Sequence, residues 1–334
     1  MTNTARLDWR RCRVVESELV ADRVRRITIE RPAPLGRAAE PGSHIDVRVS
    51  LSAEGSSDVR SYSVVESDAA GHRLTITVLL VAHSRGGSAF MHRLAVGDTI
   101  EATRPLQDFP LVPGADRHVL LAGGIGVTAL VGMGRALARL GGDYRIVYVG
   151  RSRSVMAYAD LLASEHGERL ATHIDADGTA LDVDGLVAGI AAEPGRTELL
   201  MCGPVRLMDA VRRAWLHAGL SPTDLRFETF GNSGWFDAES FEVSIPELGI
   251  TTTVSADQTM LDALTAAGAE LMWDCRKGEC GLCVMAVSQL SGKLDHRDVF
   301  LSDRQKAADD QACTCVTRVV AAGADRGRIT LHTR

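Results

Sequence analysis

Cys275-Arg276-Lys277-Gly278-Glu279-Cys280-Gly281-Leu282-Cys283 places three cysteines at C-x4-C-x2-C with a glycine in each gap. Thiolates at that spacing can wrap one side of a plant-type [2Fe-2S] cluster while a fourth ligand arrives from far along the chain. Gly278 and Gly281 let backbone amides come close to the sulfides, because a residue without a Cβ can turn either way. The fourth thiol is Cys313 or Cys315, with 29 or 31 residues between it and Cys283, and spacing does not choose between them. A zinc site or a chance run of buried thiols is the competing reading. Zinc favours paired C-x2-C units or added histidines, so the x4 gap and the lone distant thiol fit iron better.

Outward from this cluster, the hydrophobic rhythm divides the 334 residues in three. Short strand-like runs surround the cysteines from Phe241 onward. Ahead of them, Gly231 to Ala238 is rich in Gly, Asn, Ser and Asp, as linkers are. From Arg117 to Phe230 apolar strands alternate with amphipathic helical stretches. The strands are Val119–Leu121, Arg145–Tyr148, Ala171–Ile174, Glu198–Met201 and Leu225–Phe227, and the helices include Val127–Leu140 and Val205–Ala218. That alternation predicts a parallel sheet wound with helices. From Arg13 to Leu111 the runs are short and alternating, at Val24–Ile29, His44–Val49, Arg60–Val65, Leu74–Leu80 and Thr99–Ala102. They predict an antiparallel barrel or sandwich. The expected boundaries are 1–112, 113–230, a linker at 231–240, and 241–334.

Composition narrows the function classes. Hydrophobic residues at 45% and charged residues at 24% describe a globular chain rather than a disordered or coiled-coil one. A net charge of -6 gives no general attraction for nucleic acid. The longest uncharged stretch, Val119 to Gly134, is 16 residues, short of the roughly 20 needed to span a bilayer. Four arginines near the N-terminus (Arg6, Arg10, Arg11, Arg13) precede no apolar segment, so no secretory signal is expected and the chain reads as cytoplasmic. Seven cysteines in that setting are expected to be reduced.

Leu120-Leu121-Ala122-Gly123-Gly124-Ile125-Gly126-Val127-Thr128 leaves a predicted strand and opens a predicted helix. Such a turn offers unpaired amides to a pyrophosphate, and Gly124, Gly126 and Ala129 satisfy G-x-G-x-x-A. Gly-rich strand-to-helix turns also occur for packing alone. Arg151 and Arg153 follow the next strand where an acidic residue would select NADH, which leans toward a 2'-phosphate. Asp175 or Asp177, one strand later, could instead hold the ribose hydroxyls. Met201-Cys202-Gly203-Pro204 ends a later strand, where the ligand crevice of an open parallel sheet lies. A small buried cysteine before a helix-starting proline is the plainer reading of that run.

In the first third, Arg60-Ser61-Tyr62-Ser63 lies on a strand, with Arg60 and Tyr62 on one face and Ser61 and Ser63 on the other. Arg85-Gly86-Gly87-Ser88 precedes a helical stretch, where a phosphate would find amides and a hydroxyl. Taken in order with the Gly-rich turn, the Cys-Gly-Pro run and the cysteine cluster, these residues resemble the phthalate dioxygenase reductase family over nearly the whole chain. The resemblance implies a six-stranded antiparallel flavin-binding β-barrel, an α/β NADH-binding domain and a β-grasp plant-type ferredoxin domain, in that order.

By that resemblance Arg60 pairs with the FMN phosphate, Tyr62 packs on the isoalloxazine, and Ser63 sits near its N5. Ser61 belongs to the same strand motif, Arg85, Gly86, Gly87 and Ser88 serve the phosphate, and Thr77, Val78 and Leu79 run along the flavin edge. The family's F-E-x-F-G falls on Phe227-Glu228-Thr229-Phe230-Gly231, with Phe230 covering the flavin face that nicotinamide must occupy. Gly123, Gly124, Gly126, Thr128, Arg151, Asp175, Cys202, Gly203 and Pro204 form the nucleotide site. NADH is favoured over NADPH, since Arg151 also occurs in relatives using NADH. The fourth iron ligand lies in the family's C-V-S/T-R context, matching Cys315-Val316-Thr317-Arg318, so the ligands are Cys275, Cys280, Cys283 and Cys315. Asp295-His296-Arg297-Asp298 reads as packing and salt bridging. Met272-Trp273-Asp274 departs from the small residues expected before the cluster.

The implied function is electron transfer from NADH through FMN and a [2Fe-2S] cluster to a terminal oxygenase, Rieske or haem-thiolate, acting on aromatic compounds. The polypeptide positions the cofactors, which carry the chemistry. Ser63, Cys202, Glu228 and Phe230 are the expected residues of the hydride step. The contact with the oxygenase is expected to be small and transient. Two other readings are an FAD reductase of another monooxygenase class, against which the C-terminal ferredoxin argues, and a non-enzymatic iron–sulfur redox sensor, which leaves Arg60 to Ser63 unexplained.

Overall fold

The computed structural model describes residues 8–50, 57–81, 86–112, 114–230, 234, 236–323 and 326–333. Two compact units emerge, one of Met1–Gly203 with Val211–Glu228, the other of Pro204–Ala210 with Thr229–Arg334.

The first unit begins with β1 (Arg10–Ala21), β2 (Val24–Glu30), β3 (Ser43–Ser50), β4 (Ser57–Ser67) and β5 (Arg73–Leu79), then α1 (Gly87–Arg93), β6 (Thr99–Ala102) and β7 (Leu106–Gln107). The strands run β4-β5-β2-β1-β6-β3, and β3 pairs back onto β4, closing a six-stranded antiparallel barrel with β7 added at β3. Closure removes the open sheet edges that invite aggregation. Ile27, Ile29, Ile45, Val47, Leu74 and Ile76 point inward and are fully buried, each contributing about 1.5–3 kcal/mol. Met91 of α1 joins that core, so the short helix stops one end of the barrel.

The long strand β1 is absent from the sequence reading. Its outward positions carry Arg, Glu and Ser, and only Cys12 and Val14 among its twelve residues are buried, so no clean alternation marks it.

The same unit contains β8 (Arg117–Gly123), α2 (Val127–Leu140), β9 (Tyr144–Gly150), α3 (Ala159–His166), β10 (Leu170–Ile174), α4 (Val183–Ala192), β11 (Thr197–Cys202), the part of α5 (Val205–His217) from Val211 onward, and β12 (Leu225–Glu228). The sheet is parallel, in the order β10-β9-β8-β11-β12. Strand order therefore reverses between β8 and β11, and the crevice beyond their carboxyl ends is where such sheets take nucleotides. α2 buries Leu130, Val131, Met133 and Leu137 on one face and ends at Gly141, whose φ of 67° closes the helix. Gly132 of this helix lies against Pro41 and the Val65 carbonyl of β4, at 3.7–3.9 Å from a Cβ, bringing the helix close to the barrel.

The second unit comprises β13 (Phe241–Ile245), β14 (Ile250–Val254), α6 (Met260–Ala266), β15 (Val284–Ser291), β16 (Lys293–Asp295), α7 (Asp303–Ala308), β17 (Gln311–Cys313), β18 (Arg318–Val320) and β19 (Arg328–His332). A five-stranded mixed sheet, β14-β13-β19-β15-β17, is accompanied by the pair β16-β18. Phe241, Val243, Met260, Leu264, Ile329 and Leu331 fill the space between sheet and α6, as in a β-grasp domain. A smaller apolar cluster of Leu261, Leu301 and Val316 surrounds Cys283, Cys313 and Cys315.

No helix among the described residues is long and apolar enough to cross a membrane.

Candidate functional site

Three strand ends of the parallel sheet meet at the switch point. Cys202 closes β11 opposite Ala122 of β8 on one side and Glu228 of β12 on the other. Immediately beyond, the two glycine turns touch through their backbones. A Cβ on Gly126 would run into the Cys202 carbonyl and come within 2.9 Å of the Gly203 nitrogen, and one on Gly203 would lie 3.0 Å from the Gly123 Cα. This approach requires glycine at 126, while a side chain at 203 would need the Gly123 backbone to give by a few tenths of an ångström. Gly124 has φ of 53°, which favours glycine although the space around it is open. The Thr128 hydroxyl donates back to the Ile125 carbonyl at 3.0 Å. Arg151 and Asp175 follow β9 and β10, are exposed, and lie on neighbouring strand ends, with the Arg151 carbonyl accepting from the Ala176 amide at 3.0 Å. Pro204 is exposed ahead of α5.

The barrel faces this crevice through β4. Arg60 and Tyr62 stand opposite Val47 and Ile45, while Ser61 turns to the other face and donates to the Asp46 carboxylate at 2.6 Å. Arg60 crosses the start of α1, its Cγ and Nε each 3.0 Å from where a Gly87 Cβ would be. It also pairs with the Asp58 carboxylate and donates to the Val59 carbonyl at 2.9 Å. Gly86, with φ of 90°, caps α1, and the Ser88 hydroxyl accepts from the Val81 amide at 3.2 Å. Burial pushes the Tyr62 phenol well above its ordinary range, so the ring stays neutral. Ser63 is buried, and its hydroxyl donates to the Glu228 carboxylate at 3.4 Å, across 165 residues of chain.

On β5, Thr77 hydrogen-bonds the Tyr158 hydroxyl, the Val78 carbonyl bonds the His92 ring at 2.9 Å, and Leu79 pairs with Val24. Tyr158 holds a left-handed φ of 65° ahead of α3. No sequence pattern marks it. Arg85 and Gly231 lie outside the described residues.

In the second unit the cysteine loop folds around its own sulfur. The amides of Lys277, Glu279 and Cys280 each donate to Cys275 Sγ at 3.4 Å. Cys283 and Cys315 Sγ lie 3.1 Å apart. The neighbouring Cys313 and Cys315 sulfurs hold the Cys283 thiol well below its ordinary range. Gly278 (φ 77°) and Gly281 (φ 75°) make the turns. A Cβ on Gly278 would come 2.7 Å from Val316 and 2.8 Å from the Asp298 Cα, and one on Gly281 would enter the Phe300 ring. Cys275 and Cys280 are half-buried, Cys283, Cys313 and Cys315 buried. Amides converging on one sulfur, and cysteine sulfurs crowded close to one another, fit an anionic iron–sulfur cluster.

Asp295 to Asp298 packs beneath this loop. Arg297 pairs with Asp295 at 2.7 Å and donates to the Phe236 carbonyl at 3.0 Å, and Asp298 accepts from the Leu301 amide at 2.8 Å. Phe230 is half-buried. Its neighbour Thr229 is buried and bonds Lys277 and Glu279, a connection that sequence reasoning missed although Thr229 lies inside the F-E-x-F-G run.

Comparison with known proteins adds to this geometry. Residues 244–320 match the 2Fe-2S iron-sulfur cluster binding domain. The chain is 37% identical to "Phenoxybenzoate dioxygenase subunit beta" of Ectopseudomonas oleovorans, over 88% of this chain and 90% of that protein. It is 34% identical to "Vanillate O-demethylase oxidoreductase" of Pseudomonas sp. (strain HR199 / DSM 7063), over 85% and 88%. Among solved structures, phthalate dioxygenase reductase, described as a modular structure for electron transfer from pyridine nucleotides to [2Fe-2S], superposes with a TM-score of 0.70 at 29% identity, over 97% of this chain and 98% of that one.

Proposed function

The chain belongs to the phthalate dioxygenase reductase family, and from that premise we propose that it is the NADH-dependent reductase component of a multicomponent oxygenase. It passes electrons from NADH through FMN and a [2Fe-2S] cluster to a terminal oxygenase acting on aromatic compounds, of the Rieske or haem-thiolate kind. The working division is an FMN barrel over 1–112, a nucleotide domain over 113–230, a linker over 231–240 and a ferredoxin domain over 241–334. The oxygenase contact is brief and small, as electron-transfer encounters are. Its site of action is the cytoplasm, where thiols stay reduced.

The observation that carries this reading is the Ser63–Glu228 hydrogen bond. It joins the R-x-Y-S strand of the barrel to the carboxyl end of the strand beside Cys202, which supports a flavin and a nicotinamide meeting at this place. When bound, the flavin and the cluster supply the redox chemistry that turns one hydride into two single electrons.

The residues of the chain have simpler tasks. Arg60 neutralises the flavin phosphate, with Gly87 leaving room for its stem. Gly86 and Ser88 line the same place. Tyr62 and Phe230 cover the isoalloxazine. Thr77, Val78 and Leu79 border it. Gly123, Gly126 and Gly203 clear a path for the pyrophosphate, and Asp175 receives the ribose hydroxyls. Ser63 and Glu228 orient the reacting rings, and Cys202 walls the nicotinamide pocket. Cys275, Cys280, Cys283 and Cys315 hold the cluster.

The test is Cys280→Ser in the full chain. Flavin reduction by NADH stays at its native rate while reduction of a one-electron protein acceptor is abolished. Loss of both half-reactions together would contradict the division.

A further inference from the structure

We propose that Thr229 is a positioning residue for the iron–sulfur centre, fixing the amide cradle of Cys275 and so setting the potential of the cluster and the rate at which it is reduced. The inference rests on the reading above and adds to it a residue without a cofactor contact.

Thr229 is 1% exposed. Its amide donates to Glu279 Oε1 at 2.6 Å. Its hydroxyl faces the same carboxylate oxygen at 2.7 Å and the Lys277 carbonyl at 2.9 Å, and its single proton serves one of them at a time. Lys277 and Glu279 are two of the three residues whose amides point at Cys275 Sγ. Thr229 thus grips both of them from outside the loop, one by its carbonyl and the other by its carboxylate. A turn held in this way cannot rotate its peptide planes freely, and hydrogen bonds to sulfur are among the quantities that set a cluster's potential.

The position of Thr229 in the chain gives the grip its meaning. The boundary between the two compact units falls between Glu228 and Thr229. One peptide bond therefore separates the carboxylate that meets Ser63 from the residue that orders the cluster loop. Phe236 and Glu239, further along, are held within the second unit as well. Arg297 holds the Phe236 carbonyl at 3.0 Å, and Arg318 holds the Glu239 carbonyl at 2.8 Å. A buried residue at this junction whose amide and hydroxyl both reach into the cluster loop is more than a linker requires.

The test compares Thr229→Val with Thr229→Ser in the holo full-length chain. Valine keeps the shape and the amide and deletes the hydroxyl. For Thr229→Val we expect flavin reduction by NADH within twofold of the native rate. Cluster bleaching after flavin reduction slows by about tenfold or more, in the range found when groups that orient ligands are removed. The cluster's midpoint potential and its electron paramagnetic resonance spectrum both shift. Amide exchange across residues 275–283 accelerates about tenfold, the size expected for a lost hydrogen bond to a charged group. Thr229→Ser restores all of these.

Native cluster reduction, potential and exchange in Thr229→Val would overturn the proposal. So would an equal slowing of flavin reduction, which would place the effect at Glu228, or a failure of Thr229→Ser to restore the native values. If instead the unmodified protein carried no flavin or no cluster, the underlying reading would fail, and that result is visible before any variant is made.

Discussion

Gly126→Ala tests the nucleotide crevice at its tightest point. The added methyl collides with the carbonyl of Cys202, which is backbone and cannot swing aside. To reach ordinary contact, about 3.5 Å between carbons, the turns after β8 and β11 must part by about 1 Å or more. A misplacement of about 1 Å at reacting partners costs about 100-fold in rate, equivalent to about 2.7 kcal/mol of activation free energy. Overpacking adds about 1–3 kcal/mol to the cost of folding, a modest fall in melting temperature rather than loss of the fold. The assay is anaerobic stopped-flow reduction of the flavin by NADH, with flavin and iron content measured on the same sample. Gly189→Ala is the control, since that glycine lies exposed on α4 with nothing within 4 Å of a Cβ. Hydride transfer falls about 100-fold in Gly126→Ala and is unchanged in Gly189→Ala. A Gly126→Ala protein that folds, retains its cofactors and reduces its flavin within threefold of the native rate would refute the placement of the nucleotide at β8 and β11.

Three further outcomes follow from other parts of the molecule. Gly281→Ala, which forces a side chain into φ of 75° and into the Phe300 ring, yields protein with flavin but little iron, and Phe300→Ala restores iron only in part because the backbone strain persists. Arg60→Ala loses FMN on gel filtration, whereas Arg60→Lys retains it weakly, a point charge replacing a fork of donors. His166 is held below its ordinary value of 6.5 chiefly by burial. The unfolded chain therefore takes up the proton first, and stability falls as pH drops through 6.5 toward the lower folded value. Urea unfolding as a function of pH shows this slope, and His166→Gln reduces it.

Much of this architecture was legible in the sequence because its determinants are local. The run Val127–Leu140 coincides with α2, since an apolar stripe at helical spacing and the Gly141 stop both lie within it. The alternating runs at His44–Val49 and Leu74–Leu80 fall within one residue of β3 and β5 at each end, because every second residue enters the barrel. Strand β1 was hidden by its charged outer face, and α3 by a weak apolar stripe and an entry through Tyr158 at positive φ. The contacts that assemble the site were hidden for another reason. Ser63 meets Glu228, Thr77 meets Tyr158 and Thr229 meets Glu279 only after the chain has folded, and no periodicity encodes a pairing over 50 to 165 residues. The cysteine spacing marks where a cluster belongs, but the amides that converge on Cys275 are visible only in three dimensions.

The central claim is that a single polypeptide carries a two-electron and a one-electron centre in series. Anaerobic reductive titration of the purified full-length chain, followed by absorbance, measures this directly. The account predicts an uptake of about three electrons per chain, two bleaching flavin bands and one the iron–sulfur absorbance. An end point at one electron, with iron–sulfur absorbance alone, or at two, with flavin alone, would contradict it.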